Sequence, residues 1–159
     1  MYNRTIYFLI ISTFLFASMN ARSCRVPDKG YDWTINELIE KSGSIVIAKL
    51  SKKEEKGSAY VYTLEVLSVL KGPEINSISF QGFGYNEALS NDFDNHIDNR
   101  FWKENVGRSD FPCCLCGPNH IFRNGEKYLV FPDAFGSMKS AEVIKNDDDR
   151  WLQYVRDRL

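Results

Sequence analysis

The side chains able to do chemistry in this sequence are few and clustered. They are four cysteines (Cys24, Cys113, Cys114, Cys116), two histidines (His96, His120) and the acids around the first histidine. His96 lies in Asp92-Phe93-Asp94-Asn95-His96-Ile97-Asp98, and His120 follows the cysteine cluster. Imidazole, carboxylate and thiolate are zinc ligands, so His96, Asp98 and His120, or His96 with Cys113–Cys116, form the metal or thiol alternative. Against it, Cys-Cys-x-Cys departs from the usual spacing of zinc sites, and disulfide formation would consume the thiols. Asp92, Asp94 and Asp98 begin like a calcium loop, but Ile97 takes the glycine position and Lys103 that of the bidentate glutamate. The expectation is no metal and no cofactor, with His96 bonded to a neighbouring acid in a polar loop.

Nucleophilic catalysis has no pattern behind it. Gly-x-Ser-x-Gly, His-Glu-x-x-His and a phosphate-cradling glycine loop are all missing from the sequence. Cys116 with His120 is a conceivable nucleophile and base, but adjacent cysteines in an oxidising compartment are bridged far more often than catalytic. No catalytic residue is assigned.

Composition narrows the classes further. The 159 residues carry 20 Lys+Arg against 21 Asp+Glu, a formal charge of −1. That balance argues against nucleic acid as the partner, because phosphate binding needs a surplus of cations. Hydrophobic residues at 43% and charged residues at 26% exclude a disordered polyampholyte and a polytopic membrane protein. Length suits one domain with its own core.

Residues 1–23 read as a secretory signal peptide. Arg4 provides a positive start, and Ile6 through Ala17 form an apolar stretch too short for the roughly 20 residues a membrane span needs. Ala21 and Ser23 place small residues for cutting before Cys24, with cutting after Ala21 as the competitor. Arg22 stands where a lipoprotein signal needs a small residue. The expected location is secreted or periplasmic, and the membrane is involved only during export. All four cysteines remain in the mature chain, with three possible full pairings. A bridge between the neighbours Cys113 and Cys114 is strained and ranks last. One bond then ties Cys24 to the Cys113–Cys116 cluster, closing a loop of about 90 residues worth ~4 kcal/mol.

The elements that must position these groups follow from patterning. Thr34-Ile35-Asn36-Glu37 fits a capping box, and Ile35, Leu38 and Ile39 give a short helix one apolar face. Ile45–Leu50 is a β-branched run that predicts a buried strand. Lys52–Gly57 reads as a charged hairpin tip. From Tyr60 to Val69 both alternating sets are largely apolar, as in a strand bent across a closed barrel, and Lys71-Gly72-Pro73 stops it. Ile75, Ile78 and Phe80 mark a third strand. Over residues 82–118 periodicity dissolves into a long insertion. Its aromatics Tyr85, Phe93, Phe101 and Trp102 either tuck inward as a mini-core or form a contact surface. Asn124-Gly125 predicts a turn into a strand over Lys127–Phe131. Residues 147–158 predict an amphipathic helix with Trp151, Leu152, Val155 and Leu159 on one side.

A short helix, the Ile45–Leu50 strand, a strand ending in Val69-Leu70-Lys71-Gly72, and Cys116-Gly117 with Tyr128-Leu129-Val130 beyond it resemble the netrin-module and tissue-inhibitor-of-metalloproteinases (TIMP-like) superfamily. The C-terminal helix and the insertion look more like its exported bacterial members than the animal inhibitors. The resemblance spans roughly residues 24–131 without the insertion. It implies a mainly β fold, a single five-stranded OB-fold barrel over residues 24–159. In the animal inhibitors a Cys-x-Cys-x-Pro segment opens the mature protein, and its free α-amino group and carbonyl chelate a protease's zinc. Here the corresponding residues are Cys24, Arg25, Val26 and Pro27, so the second cysteine is replaced and the proline sits one place closer. That chemistry requires Cys24 itself to carry the amine. The expected function is an exported, non-catalytic binding module whose partner is another protein, in its concrete form a metalloprotease inhibitor.

Overall fold

The computed structural model describes residues 33–57, 59–82, 93–103, 121–134 and 139–159. The signal segment, Cys24–Pro27, the other three cysteines and His120 lie outside the described residues. In chain order the elements are helix α1 (Ile35–Lys41), strands β1 (Ile45–Lys56), β2 (Ala59–Lys71), β3 (Ser77–Gly82), β4 (Lys127–Val130) and β5 (Ala141–Ile144), and helix α2 (Arg150–Arg156). Short 3₁₀ turns occupy Asn95–Ile97 and Pro132–Ala134.

Seven residues are too few for a helix to persist in water unaided. α1 is therefore held at both ends. Glu37 N–H donates to Thr34 Oγ1 at 3.2 Å while Thr34 N–H donates to Glu37 Oε2 at 2.9 Å, the expected capping box. At the other end Lys71 Nζ donates to the Ile39 and Glu40 carbonyls, each at 2.8 Å, which places a cation on the helix C-terminus. Ile35, Leu38 and Ile39 are buried, as the pattern requires.

β1 and β2 form one long hairpin. Residues 52–56, expected as a charged turn, are strand instead, each paired across to residues 59–63, and the chain turns at Gly57 with φ +64°. Ladder hydrogen bonds do not require apolar side chains, and two of the lysines find partners here. Lys52 pairs with Glu54 at 2.9 Å, and Lys53 Nζ sits 4.1 Å above the Tyr60 ring. Register shifts leave Leu67 and Leu70 of β2 without an opposing residue in β1. Such bulges swap the faces of the residues that follow. Leu70 joins the same core as Ile45 and Ile47, whereas Val66 and Val69 join the other. This explains why β2 is apolar on both alternating sets.

All pairings are antiparallel, in the order β3-β2-β1-β4-β5. Among the described residues the ladders end at β3 and β5. The protein is thus mainly β, and its described residues form one five-stranded antiparallel sheet with two short helices. Sequence patterning does not predict β5, because four residues interrupted by Glu142 carry too little periodicity.

Each face of the sheet has its own core. Ile45, Ile47, Leu129 and Ile144 pack with Ile39 of α1, Trp151, Leu152 and Val155 of α2, and Phe101. On the opposite face Val46, Ala48, Tyr62, Leu64, Tyr128 and Val143 pack with Phe93 and Phe122. α2 is shorter than residues 147–158, and Leu159 lies beyond it, 53% exposed rather than on the buried stripe. Among the described residues no helix is long and apolar enough to cross a membrane.

Candidate functional site

The site is built where residues 93–103, from the middle of the long insertion, meet β5 and the start of α2. Phe93 opens this segment with φ +58°, a backbone conformation bulky residues rarely adopt. Its fully buried ring packs 4.8 Å from Phe122 and 5.8 Å from Tyr128. Its carbonyl accepts a hydrogen bond from Val143 N–H at 2.7 Å. The segment thus lies against the outer edge of β5, and Phe101 and Trp102 close it over Trp151 at 5.1 and 5.8 Å. Of the two readings of these aromatics, Phe93 and Phe101 take the inward one, and Tyr85 lies outside the described residues.

Strand alternation points Glu142 to the same side of β5 as Ile144, where an apolar residue is the norm. Its carboxylate, fully buried, is instead surrounded by donors. Asn95 N–H and His96 N–H donate to Oε2 at 2.8 and 3.1 Å, and Asn95 Nδ2 donates to Oε1 at 2.9 Å. The fourth contact is His96 Nδ1, 2.8 Å from Oε2. On the other side of the ring, Nε2 lies 3.1 Å from Asp149 Oδ2. Asp149 is also the N-cap of α2, its Oδ1 accepting from Trp151 and Leu152 N–H at 2.9 and 3.3 Å.

His96 is 5% exposed and sandwiched between two carboxylates. An ionised carboxylate only accepts, so two good contacts require a proton on both ring nitrogens. Burial opposes the imidazolium, but the hydrogen bond and charge of Glu142, joined by the charge and hydrogen bond of Asp149, outweigh it and hold His96 above the usual histidine range. Around this core, Trp102 Nε1 donates to the His96 carbonyl at 2.9 Å and Lys145 pairs with Asp94 at 2.8 Å. Lys139 Nζ donates to the Phe101 carbonyl, and the Arg150 guanidinium lies 4.1 Å above the Trp102 ring.

This arrangement has no lone pair to offer. A catalytic histidine holds one nitrogen on an orienting acid and the other on a nucleophile; His96 has an acid on each. Asp98 points elsewhere, bonding the Arg100 guanidinium at 2.9 Å on the surface. His96 and Asp98 are therefore two positions apart in sequence but not brought together as ligands, and His120 lies outside the described residues. Among the described residues, no group of three His, Cys, Asp or Glu side chains is placed to hold a metal ion. Cys24, Arg25, Val26, Pro27, Cys113, Cys114 and Cys116 lie outside them too.

The local sequence predicts a neighbouring acid on His96, whereas in the fold the acids are Glu142 and Asp149, 46 and 53 residues away. Glu142 had a signal, an isolated acid inside the apolar run Ala141–Ile144. An open cleft of about 530 Å³ lies elsewhere, between α1 and the chain end, lined by Asn36, Ile39, Leu70 and Arg158 among others. Its cations are already engaged: Lys71 on the α1 carbonyls, and Arg158 on Asn36 and above Tyr154. No protein-family model matches the chain, and a search of curated proteins finds no match.

Proposed function

We propose that the chain is an exported, non-catalytic binding module built on a TIMP-like OB-fold barrel, with another protein as its partner. The strand order is the observation that carries this reading. β4-β1-β2-β3 is the Greek-key order, three consecutive strands with the fourth returning beside the first, and the OB-fold is a five-stranded, partly open Greek-key barrel. The engagement of both His96 nitrogens by carboxylates supports the non-catalytic part. It also weighs against the alternative of a metal or thiol protein using His96 with Cys113–Cys116.

In its concrete form, the module inhibits a zinc metalloprotease. The α-amino group and carbonyl of Cys24 chelate the protease's zinc, with Arg25, Val26 and Pro27 alongside. A disulfide from Cys24 to the Cys113–Cys116 cluster fixes that terminus. The fold analogy supplies the idea, and only the terminus can carry it.

The test is the intact mass of the exported protein, native and denatured, with and without reductant. A chain beginning at Cys24 that gains about four hydrogens on reduction has two disulfides and a free cysteine amine. Inhibition of a zinc protease should then vanish when one alanine is added before Cys24, because the amine becomes an amide. A chain beginning at Arg22 overturns chelation. Zinc retained in the native spectrum by reduced thiols overturns the inhibitor reading in favour of the metal one.

A further inference from the structure

We propose that the Glu142–His96–Asp149 cluster is a protonation-dependent latch: it fastens residues 93–103 to the outer edge of β5 and the start of α2 while His96 carries both ring protons, and releases them when one is lost. The inference is independent of Cys24 and survives failure of the inhibitor reading.

The first argument is where the segment's attachments lie. Five polar contacts of the segment converge on one place: four reach the Glu142 carboxylate of β5, and the fifth runs from the imidazole to Asp149 at the start of α2. The second is the chemistry of the ring. Removing a proton places a nitrogen lone pair against a carboxylate oxygen about 3 Å away, with little water to screen the repulsion. Loss of either proton turns one of the ring's two carboxylate contacts from attraction to repulsion. The third is strain: a left-handed Phe93 is held only by the contacts around it, so a weakened latch has stored energy acting with it.

The charges facing the imidazole come from each packed element. Glu142 reaches it from β5 and Asp149 from the start of α2. The nearby cations are directed to other groups: Lys145 to Asp94, Lys139 to the Phe101 carbonyl and Arg150 to the Trp102 ring. On its own segment, Asp98 is paired with Arg100. Both charges that face the ring at hydrogen-bond distance are therefore negative, and the latch is closed on the acid side and opens as pH rises above the ordinary histidine range.

The experiment is a titration of the full chain with isotope-labelled histidine, read by NMR from about pH 5 to about pH 9. The expected result is a His96 ring protonated on both nitrogens at low pH, with its midpoint above the ordinary 6.5. Across that same midpoint, exchange of the Asn95, His96 and Val143 amides should accelerate beyond the hydroxide-catalysed rate. The gain is up to about tenfold for each unit by which the midpoint exceeds its ordinary value, and the β1–β2 amides should not follow. In His96→Gln the same amides should exchange fast with no such step. A ring that stays a single neutral tautomer throughout, or amides indifferent to the ring's midpoint, overturns the latch. Both of those outcomes are read on the unaltered chain, so the test stands even where the variant fails to fold.

Discussion

His96 grips Glu142 twice through one oxygen: its ring Nδ1 lies 2.8 Å from Oε2, and its own backbone N–H donates to the same atom at 3.1 Å. The two residues are 46 positions apart in sequence. With backbone and side chain both committed, the histidine has one orientation, and that orientation aims Nε2 at Asp149. The position of α2 relative to β5 is thereby tied to the middle of the insertion.

Replacing Glu142 separates charge from shape. Glu142→Ala strands a buried imidazolium and three further donors, and we expect a loss of about 3–5 kcal/mol. Glu142→Gln keeps an acceptor for some of those donors and should cost less, about 1–3 kcal/mol. Urea unfolding midpoints at neutral pH check this, and equal losses for the two variants would contradict the charge argument.

Asp149 performs two tasks that substitution can divide. Serine is an equally good N-cap, so Asp149→Ser should preserve the start of α2 and lose only the His96 contact. Asp149→Ala loses both and should be less stable than the serine variant by about 1 kcal/mol. Paired urea or thermal melts read the difference directly.

Stability should depend on pH in opposite directions at two places. His96 has a raised folded-state value, so its contribution is complete below its unfolded value of 6.5 and is lost as pH rises through the folded one. The stability gap between the native chain and His96→Gln should therefore narrow on the alkaline side. Glu37 behaves as a depressed acid: the Lys41 hydrogen bond, with those from Thr34, holds it down at about 2. The α1 capping box should then be complete above the ordinary glutamate value and come apart only as pH falls through about 2, followed by the Glu37 amide shift in NMR.

Two glycines with positive φ should respond differently to alanine. At Gly72 (φ +97°) a Cβ would run into the Gly43 carbonyl and the Ser44 side chain, so Gly72→Ala should cost more than about 2 kcal/mol. At Gly57 (φ +64°) nothing stands within reach, and Gly57→Ala should cost only the conformational term, about 1–2 kcal/mol. Denaturant melts of the two variants rank them.

What the sequence determined by itself is local. Thr34 and Glu37 are three residues apart, and their capping box needs nothing else to form. The β-branched run at Ile45, the Asn124-Gly125 turn with Gly125 at φ +85°, and the Trp151–Leu152–Val155 stripe are likewise legible, because a period of two or 3.6 acts over neighbouring residues. Those signals also sufficed for a mainly β chain. Tertiary structure alone decided the rest. The charged residues 52–56 became strand because a partner strand lay opposite, and β5, too short to announce itself, exists through its pairing with β4. His96 acquired its acids from 46 and 53 residues away rather than from the aspartates beside it. An isolated acid in an apolar run specifies a need for donors but not their source; only the folding of the insertion across β5 brings the donors to 2.8–3.1 Å.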